Sequence, residues 1–305
     1  MKAARAFTHI DTWVFDLDNT LYPHHVNLWQ QVDARIGEFV SRWLKVSAQE
    51  ARVIQKDYYL RYGTTMRGMM TEHGVRADDY LAYVHQIDHS PLEPNPAMGA
   101  AIAKLPGRKL ILTNGSTDHA DKVLERLGIG AHFEAVFDII AAELEPKPAP
   151  QTYRKFLADH AVNPNTSAMF EDLARNLVVP HQFGMTTVLV VPDGSREVVR
   201  EDWELEGRDA AHVDHVTDDL TGFLQALVKP KSLSSPSFRT TTAEGALTLP
   251  RQIPTKPLVW TNTSFQGNLD VPARPRIHHQ RRLRRPRWNL DRDQRRGARR
   301  RRFRP

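Results

Sequence analysis

The sequence predicts an α/β protein: a Rossmann-like parallel sheet with helices on both faces, with a helical block inserted after the first strand. Three observations point there. After Pro96, short apolar runs alternate with helical stretches, the pattern of a parallel sheet with crossover helices. Between the first apolar run and Pro96, residues 24–95 show only helical periodicity. Near "LVKPKSLSSPS" periodic apolar patterning ends, and Pro, Ser and Thr take over. The expected organisation is a core of residues 10–23 and 96–229, an inserted helical domain at 24–95, and a low-complexity basic tail at 230–305.

Taken in order, "TWVFD" (12–16) reads as a short buried strand that stops at Asp16 and Asp18. From about Asn27 to Tyr62, Leu28, Val32, Ile36, Phe39, Val40 and Trp43 recur at helical spacing. A further helical region runs to about Gln86. "PAMGAAIAKL" is a short helix, and "RKLILTN" a second buried strand ending on polar residues. "DHADKVLERLG" is a helix with Gly128 as its stop. "AVFDII" is read as a strand, "PQTYRKFLADH" as a helix opening on proline, and "SAMFED" as a strand ending on acids. A helix from about Arg175 and the strand "TTVLVV" close the core.

Composition narrows the function classes. A guide of roughly 150 residues per domain gives 305 residues room for two domains. There is no cysteine, which excludes disulfides and thiolate metal sites. The N-terminus lacks the apolar core of a secretory signal, and no apolar run approaches the ~18 residues of a membrane span, so a soluble, cytoplasmic protein is expected. The net charge of +6 averages two unlike segments. Residues 231–305 hold 19 basic against 4 acidic residues, net +15; residues 1–230 hold 23 against 32, net −9.

The chemistry gathers at strand ends. Three expected core strands finish on reactive residues: Asp16 and Asp18, Thr113 and Asn114, Glu171 and Asp172. In a parallel sheet these ends share one edge, where ligands bind. Clustered carboxylates repel and raise each other's pKa unless a cation holds them. Mg²⁺ suits few carboxylates, retained waters and a substrate phosphate. Lys147, in "EPKPAP", can bring positive charge to the same edge, and Thr113 a hydroxyl. Asp16 and Asp18 lie two residues apart and so can meet one substrate from one side. One can attack phosphorus and form an aspartyl-phosphate; the other can protonate the leaving oxygen and later deprotonate water.

"DLDNTLY" (16–22), "LTNGS" (112–116), "KP" (147–148) and "FED" (170–172) resemble the four ordered motifs of the haloacid dehalogenase superfamily, in its phosphatase branch. The resemblance spans roughly residues 10–228, and the inserted helical block resembles that family's cap domain. "YYLRYGTTMRGM" (58–69) and "DYLAYVHQIDHSPLEP" (79–94) look like the pyrimidine 5′-nucleotidase subgroup. The resemblance implies Asp16 as nucleophile and Mg²⁺ ligand. It implies Asp18 as general acid/base, lending its backbone carbonyl to the metal. Thr113 and the Asn114 backbone would hold the phosphoryl group, Lys147 would offset negative charge, and Asp172 would complete the metal ligands. The fourth motif is Glu-Asp here, where many members have two aspartates, which leaves the role of Glu171 open.

Other readings stand beside these. Asn176, four residues after Asp172, can orient it or serve its own helix. Tyr58, Tyr59 and Tyr62 at helical spacing read as core. His24 and His25 have no acidic partner at metal-ligand spacing. Tyr62–Gly68 breaks helical patterning, so Thr64, Thr65 and Arg67 are expected against the leaving group. The expected function is a Mg²⁺-dependent phosphomonoesterase acting on a small phosphorylated metabolite, foremost a pyrimidine nucleoside 5′-monophosphate. A sugar-phosphate phosphatase or phosphomutase is the alternative within the superfamily. The Arg-rich tail could instead neutralise nucleic-acid phosphates. Its composition ranks disorder, or the product of a frameshift, above that use.

Overall fold

The computed structural model describes residues 6–194 and 207–228. The readings of the tail at 230–305 lie outside the described residues. Six strands form one sheet among the described residues: β1 (Thr12–Phe15), β2 (Arg108–Leu112), β3 (Ala135–Phe137), β4 (Ser167–Glu171), β5 (Thr186–Val190) and β6 (His215–Thr217). Every pairing is parallel, in the order β3-β2-β1-β4-β5-β6. All carboxyl ends therefore lie on one edge. The order reverses at β1, which pairs with β2 on one side and β4 on the other, and a crevice opens outside the strand ends at such a switch point.

Alternation along the central strands builds a core on each face. Trp13, Phe15, Ile111 and Phe170 join one apolar cluster, while Val14, Leu110, Leu112 and Met169 join the other. Helices α5 (Pro96–Lys104), α6 (Thr117–Leu127) and α9 (Leu220–Val228) cover the first face through Ile102, Val123 and Leu224. Helices α7 (Pro150–Asp159) and α8 (Val178–Phe183) cover the second through Tyr153, Phe156 and Val179. Both faces being buried explains why these strands read as continuous apolar runs.

Between β1 and α5 the chain forms α1 (Leu28–Leu44), α2 (Ala48–Tyr62), α3 (Thr65–His73) and α4 (Ala77–Val84). These four helices pack around Phe39, Val40, Tyr58, Met66, Met69 and Tyr80, joined by Ile139. The expected single helical run from Asn27 to Tyr62 is two helices. Lys45 takes a left-handed φ of 56°, and Ser47 opens α2 with a reciprocal capping box to Glu50. Gly63, at φ 81°, ends α2 as expected. Gly68 lets α3 approach α2: a Cβ there would lie 2.4 Å from Cγ of Tyr58.

Other boundaries differ from the sequence reading. "AVFDII" pairs only over Ala135–Phe137, because the Asp138 carboxylate turns the chain by accepting from the Ile140 and Ala141 amides. The helix expected from Arg175 begins as a 3₁₀ turn, Ala174–Leu177, and continues as α8. The last strand and helix, β6 and α9, are additions to the expected elements. Among the described residues, no helix is long and apolar enough to cross a membrane.

Candidate active site

The residues expected at the strand ends meet at the edge where β1, β2 and β4 finish. Asp16 directly follows β1, and its amide donates to the Phe170 carbonyl at 2.9 Å, as if the strand ran one residue further. Thr113 follows β2, Glu171 closes β4, and Asp172 comes next. Asp16, Thr113, Lys147, Glu171 and Asp172 are all buried.

Lys147 is the hub. Its ammonium donates to Asp16 Oδ1 at 2.7 Å, Glu171 Oε1 at 2.6 Å and the Leu112 carbonyl at 3.0 Å, so each of its three N–H groups has a partner. The loop that delivers it is held by Asn114. The Asn114 Oδ1 accepts from the Lys147 amide at 2.8 Å, and its Nδ2 donates to the Lys147 carbonyl at 3.3 Å. Glu171 also accepts from Asn176 Nδ2 at 2.7 Å and the Leu173 amide at 2.9 Å. Asn176 thus hydrogen-bonds Glu171, which in turn accepts from the Lys147 ammonium.

The two aspartates have opposite surroundings. Burial pushes the Asp16 carboxyl up to about 7; Lys147 opposes this, and the charges of Glu171 and Asp18 add to it. Burial would also raise Asp18, but the His119 imidazole and the Tyr22 hydroxyl outweigh it and hold Asp18 down at about 2. Burial disfavours the Lys147 cation, yet Asp16 and Glu171 raise its pKa above the ordinary value. Glu171 is likewise held below the carboxylate range against its burial, chiefly by Lys147. Asp16 is therefore the carboxyl of this site whose pKa is raised, while those of Asp18 and Glu171 are lowered.

Asp18 Oδ1 accepts from the Tyr22 hydroxyl at 2.6 Å and pairs with His119 Nε2 at 2.8 Å. Asp16 Oδ2 accepts from the Thr20 hydroxyl at 3.1 Å. Sequence reasoning missed these three partners. Thr20 and Tyr22 had a signal, each standing four residues after its aspartate in the turn that follows β1. His119 had none: it lies 101 residues from Asp18 in sequence and meets it only through the packing of α6.

A cavity of about 520 Å³ opens over this edge. Asp16, Asp18, Thr113, Asn114, Lys147 and Asp172 line its floor, and Trp29, Lys56, Tyr59, Thr64, Thr65 and Tyr80 of the inserted helices line its other side. The Arg175 guanidinium sits 4.7 Å from the Tyr59 ring centroid, and both face the cavity. Thr64 caps α3 by accepting from the Arg67 amide at 3.2 Å, and the Thr65 hydroxyl donates to the Gln55 carbonyl at 3.0 Å. Arg67, expected against the leaving group, is instead ion-paired with Glu145 and is not among the lining residues. Tyr59, read as core, faces the cavity. His24, read as uninvolved, is buried with Nε2 3.8 Å from Asp172 Oδ2.

Carboxylate oxygens of Asp16, Glu171 and Asp172 lie within 4.8 Å of one another, all buried. This all-oxygen donor set fits a hard divalent cation.

The fold and site are those of a parallel α/β protein with acids at its switch point, a buried lysine among them and helices inserted after β1. The chain belongs to the haloacid dehalogenase-like hydrolase family, which matches residues 10–182. It is 25% identical over 219 residues to Phosphate metabolism protein 8 of Saccharomyces cerevisiae, a match covering 66% of this chain and 65% of that relative's length. Among solved structures, a phosphatase of the family from Thermococcus onnurineus is 16% identical, with TM-score 0.47, over 72% of this chain and 98% of that one. L-2-haloacid dehalogenase from Xanthobacter autotrophicus is 18% identical, with TM-score 0.45, over the same shares.

Proposed function

We propose that the protein is a Mg²⁺-dependent phosphomonoesterase working through an aspartyl-phosphate on Asp16, with a pyrimidine nucleoside 5′-monophosphate as its substrate. One observation supports this above the others. Two carboxylates two residues apart face one cavity with different partners, Asp16 on Lys147 and Asp18 on Tyr22 and His119. A phosphatase that forms and then hydrolyses a covalent intermediate needs two such differentiated acids. A departing halide needs no proton, so a dehalogenase has no need of a general acid.

In this reading Asp16 Oδ attacks phosphorus, and the leaving oxygen takes a proton from Asp18. Asp18, left as a carboxylate, then draws a proton from the water that hydrolyses the aspartyl-phosphate, and Asp16 is restored. At rest Asp18 is ionised, so the proton it donates must enter with the monoanionic form of the substrate or from solvent, and it is released again when the cycle closes. The negative charge of the arriving phosphate raises the proton affinity of Asp18 for that uptake. The Thr113 hydroxyl and the Asn114 amide hold phosphoryl oxygens, and Lys147 balances the charge on Asp16 and phosphate. Asp16, Asp172 and the Asp18 carbonyl would hold Mg²⁺. When bound, the ion would offset phosphate charge and keep Asp16 ionised against its raised pKa.

The inserted helices serve as a cap that selects what the phosphate is attached to. The cavity has the size of a small-molecule site. Tyr59 with Arg175, and Trp29, offer flat surfaces for a base, and Thr64 and Thr65 offer hydroxyls. The test is a phosphatase screen of the full chain over nucleoside monophosphates, sugar phosphates and 4-nitrophenyl phosphate, with Mg²⁺ or EDTA. Highest kcat/KM for UMP or CMP with Mg²⁺ and silence in EDTA are expected. Full turnover in EDTA would remove the ion from the mechanism, and preference for a sugar phosphate would replace the substrate.

A further inference from the structure

We infer that His119 is a positioning residue for Asp18: it fixes the carboxylate with Oδ1 engaged and Oδ2 turned to the reacting oxygen, and His85 and His89 hold His119 in place. This rests on the acid/base role proposed for Asp18. It adds a task for a group outside the four sequence motifs.

Both donors converge on one oxygen. Tyr22 at 2.6 Å and His119 at 2.8 Å both meet Oδ1. Oδ2 lies instead beside Gly115, where a Cβ would come within 3.7 Å of it, and Asp18 and Gly115 both line the cavity. An unsupported carboxylate rotates about its terminal bond and presents either oxygen. Two donors on Oδ1 remove that freedom and leave Oδ2 for the substrate. Proton transfer demands such placement, since the acid must stand within hydrogen-bond reach of the atom it protonates.

His119 is held from three sides. An ionised Asp18 only accepts, so Nε2 of His119 carries the hydrogen of that bond. Nδ1 faces Nε2 of His89 at 3.3 Å. The His85 ring stacks on it at 4.6 Å between centroids and 9° between planes. His85 Nδ1 in turn meets the Ser116 hydroxyl at 2.9 Å, and Ser116 caps α6, the helix that carries His119. His119 has no exposed surface. A histidine buried only for packing would satisfy its N–H at any carbonyl; this one directs it to the carboxylate assigned to proton transfer.

The experiment measures kcat/KM of the full chain with Mg²⁺ over phosphomonoesters that differ only in leaving-group basicity, from 4-nitrophenyl to simple alkyl. His119→Leu keeps volume and loses the donor. It should lower alkyl phosphates by about 10²-fold or more, the scale of general-acid catalysis, and 4-nitrophenyl phosphate, which needs little protonation, by only a few-fold. His119→Gln restores an N–H near the Nε2 position and should recover at least tenfold of the alkyl loss. His89→Leu, at a half-buried site where folding is secure, should show the same leaving-group pattern with a smaller loss. Long-range ¹H–¹⁵N spectra, which need no turnover, should show His119 as the Nε2–H tautomer, with that proton moving upfield in Asp18→Leu. Equal losses for every leaving group, no rescue by glutamine, or an Nδ1–H tautomer would each overturn the assignment while leaving an active wild type's phosphatase function intact. A wild type inert toward every phosphomonoester would overturn the proposed function, and this assignment with it.

Discussion

Replacing Lys147 with methionine tests the electrostatics of the site most directly. Methionine nearly keeps the volume, so packing changes little, but the ammonium among Asp16, Glu171 and the Leu112 carbonyl is gone. At the 2.7 Å and 2.6 Å separations, each ion pair is roughly 6 kcal/mol of gross attraction at an effective dielectric of about 20. Most of that is offset by the desolvation of the lysine, which the variant no longer suffers. What remains is the cost of leaving carboxylates buried without a counter-charge, about 3–5 kcal/mol. Against a typical stability of about 5–15 kcal/mol this is a large fraction. Urea unfolding of the full chain, followed by far-UV circular dichroism at pH 8, should show the midpoint falling with the slope unchanged. The pH dependence has a definite sign. Asp16 already has a raised pKa of about 7, and losing Lys147 raises it further. A carboxyl raised in the folded state favours folding at low pH, and that contribution is lost as pH rises through the folded pKa. The deficit of the variant should therefore shrink at pH 5.5, and 10 mM Mg²⁺ at pH 8 should recover part of it. An unchanged midpoint at pH 8, or a deficit that grows on acidification, would refute the buried charge network.

Other substitutions probe separate features. Asp16→Asn should abolish turnover, with wild-type circular dichroism, and retention of more than a small percentage of activity would rule out attack by Asp16. Gly68→Ala places a Cβ 2.4 Å from Tyr58 Cγ and should destabilise the inserted helices by about 1–3 kcal/mol, read as a lower Tm. Burial and the neighbouring His119 hold His85 down at about 3, so it stays neutral in the folded protein at pH 5, while the unfolded chain protonates it. His85 must then contribute a loss of stability as pH drops below the ordinary histidine value, opposite in sign to the contribution of Asp16, so relative to wild type the stability of His85→Phe should rise by about 1–2 kcal/mol between pH 7 and pH 5; an unchanged difference would show that His85 is not the group responsible. Tyr59→Ala should change the ranking among nucleotides and sugar phosphates, whereas Arg67→Ala, which removes only the pair with Glu145, should leave that ranking alone in the same screen.

The sequence by itself determined the sheet and the edge where chemistry collects. Apolar runs bounded by Asp16, Thr113 and Asp172 are legible because a strand buried on both faces admits few other residues, and its polar stop marks where the chain reaches solvent or ligand. The family resemblance rests on the same short stretches, where local spacing and chemistry coincide. Boundaries governed by one side chain were less visible. Lys45 and Ser47 divide an expected helix, and Asp138 ends an expected strand, because a cap or turn is decided by a single hydrogen-bonding group against a periodic background.

Tertiary structure alone decided which residues serve the acids. His119 reaches Asp18 across 101 positions, and Asn114 grips the Lys147 loop across 33, pairings that no local pattern encodes. It also turned Tyr59 toward the cavity and Arg67 toward Glu145. Helical spacing says which residues share a face, but not what that face meets. That depends on how α2 and α3 dock over the sheet edge, and it is fixed by the packing of Tyr58, Met66 and Met69 in their own core.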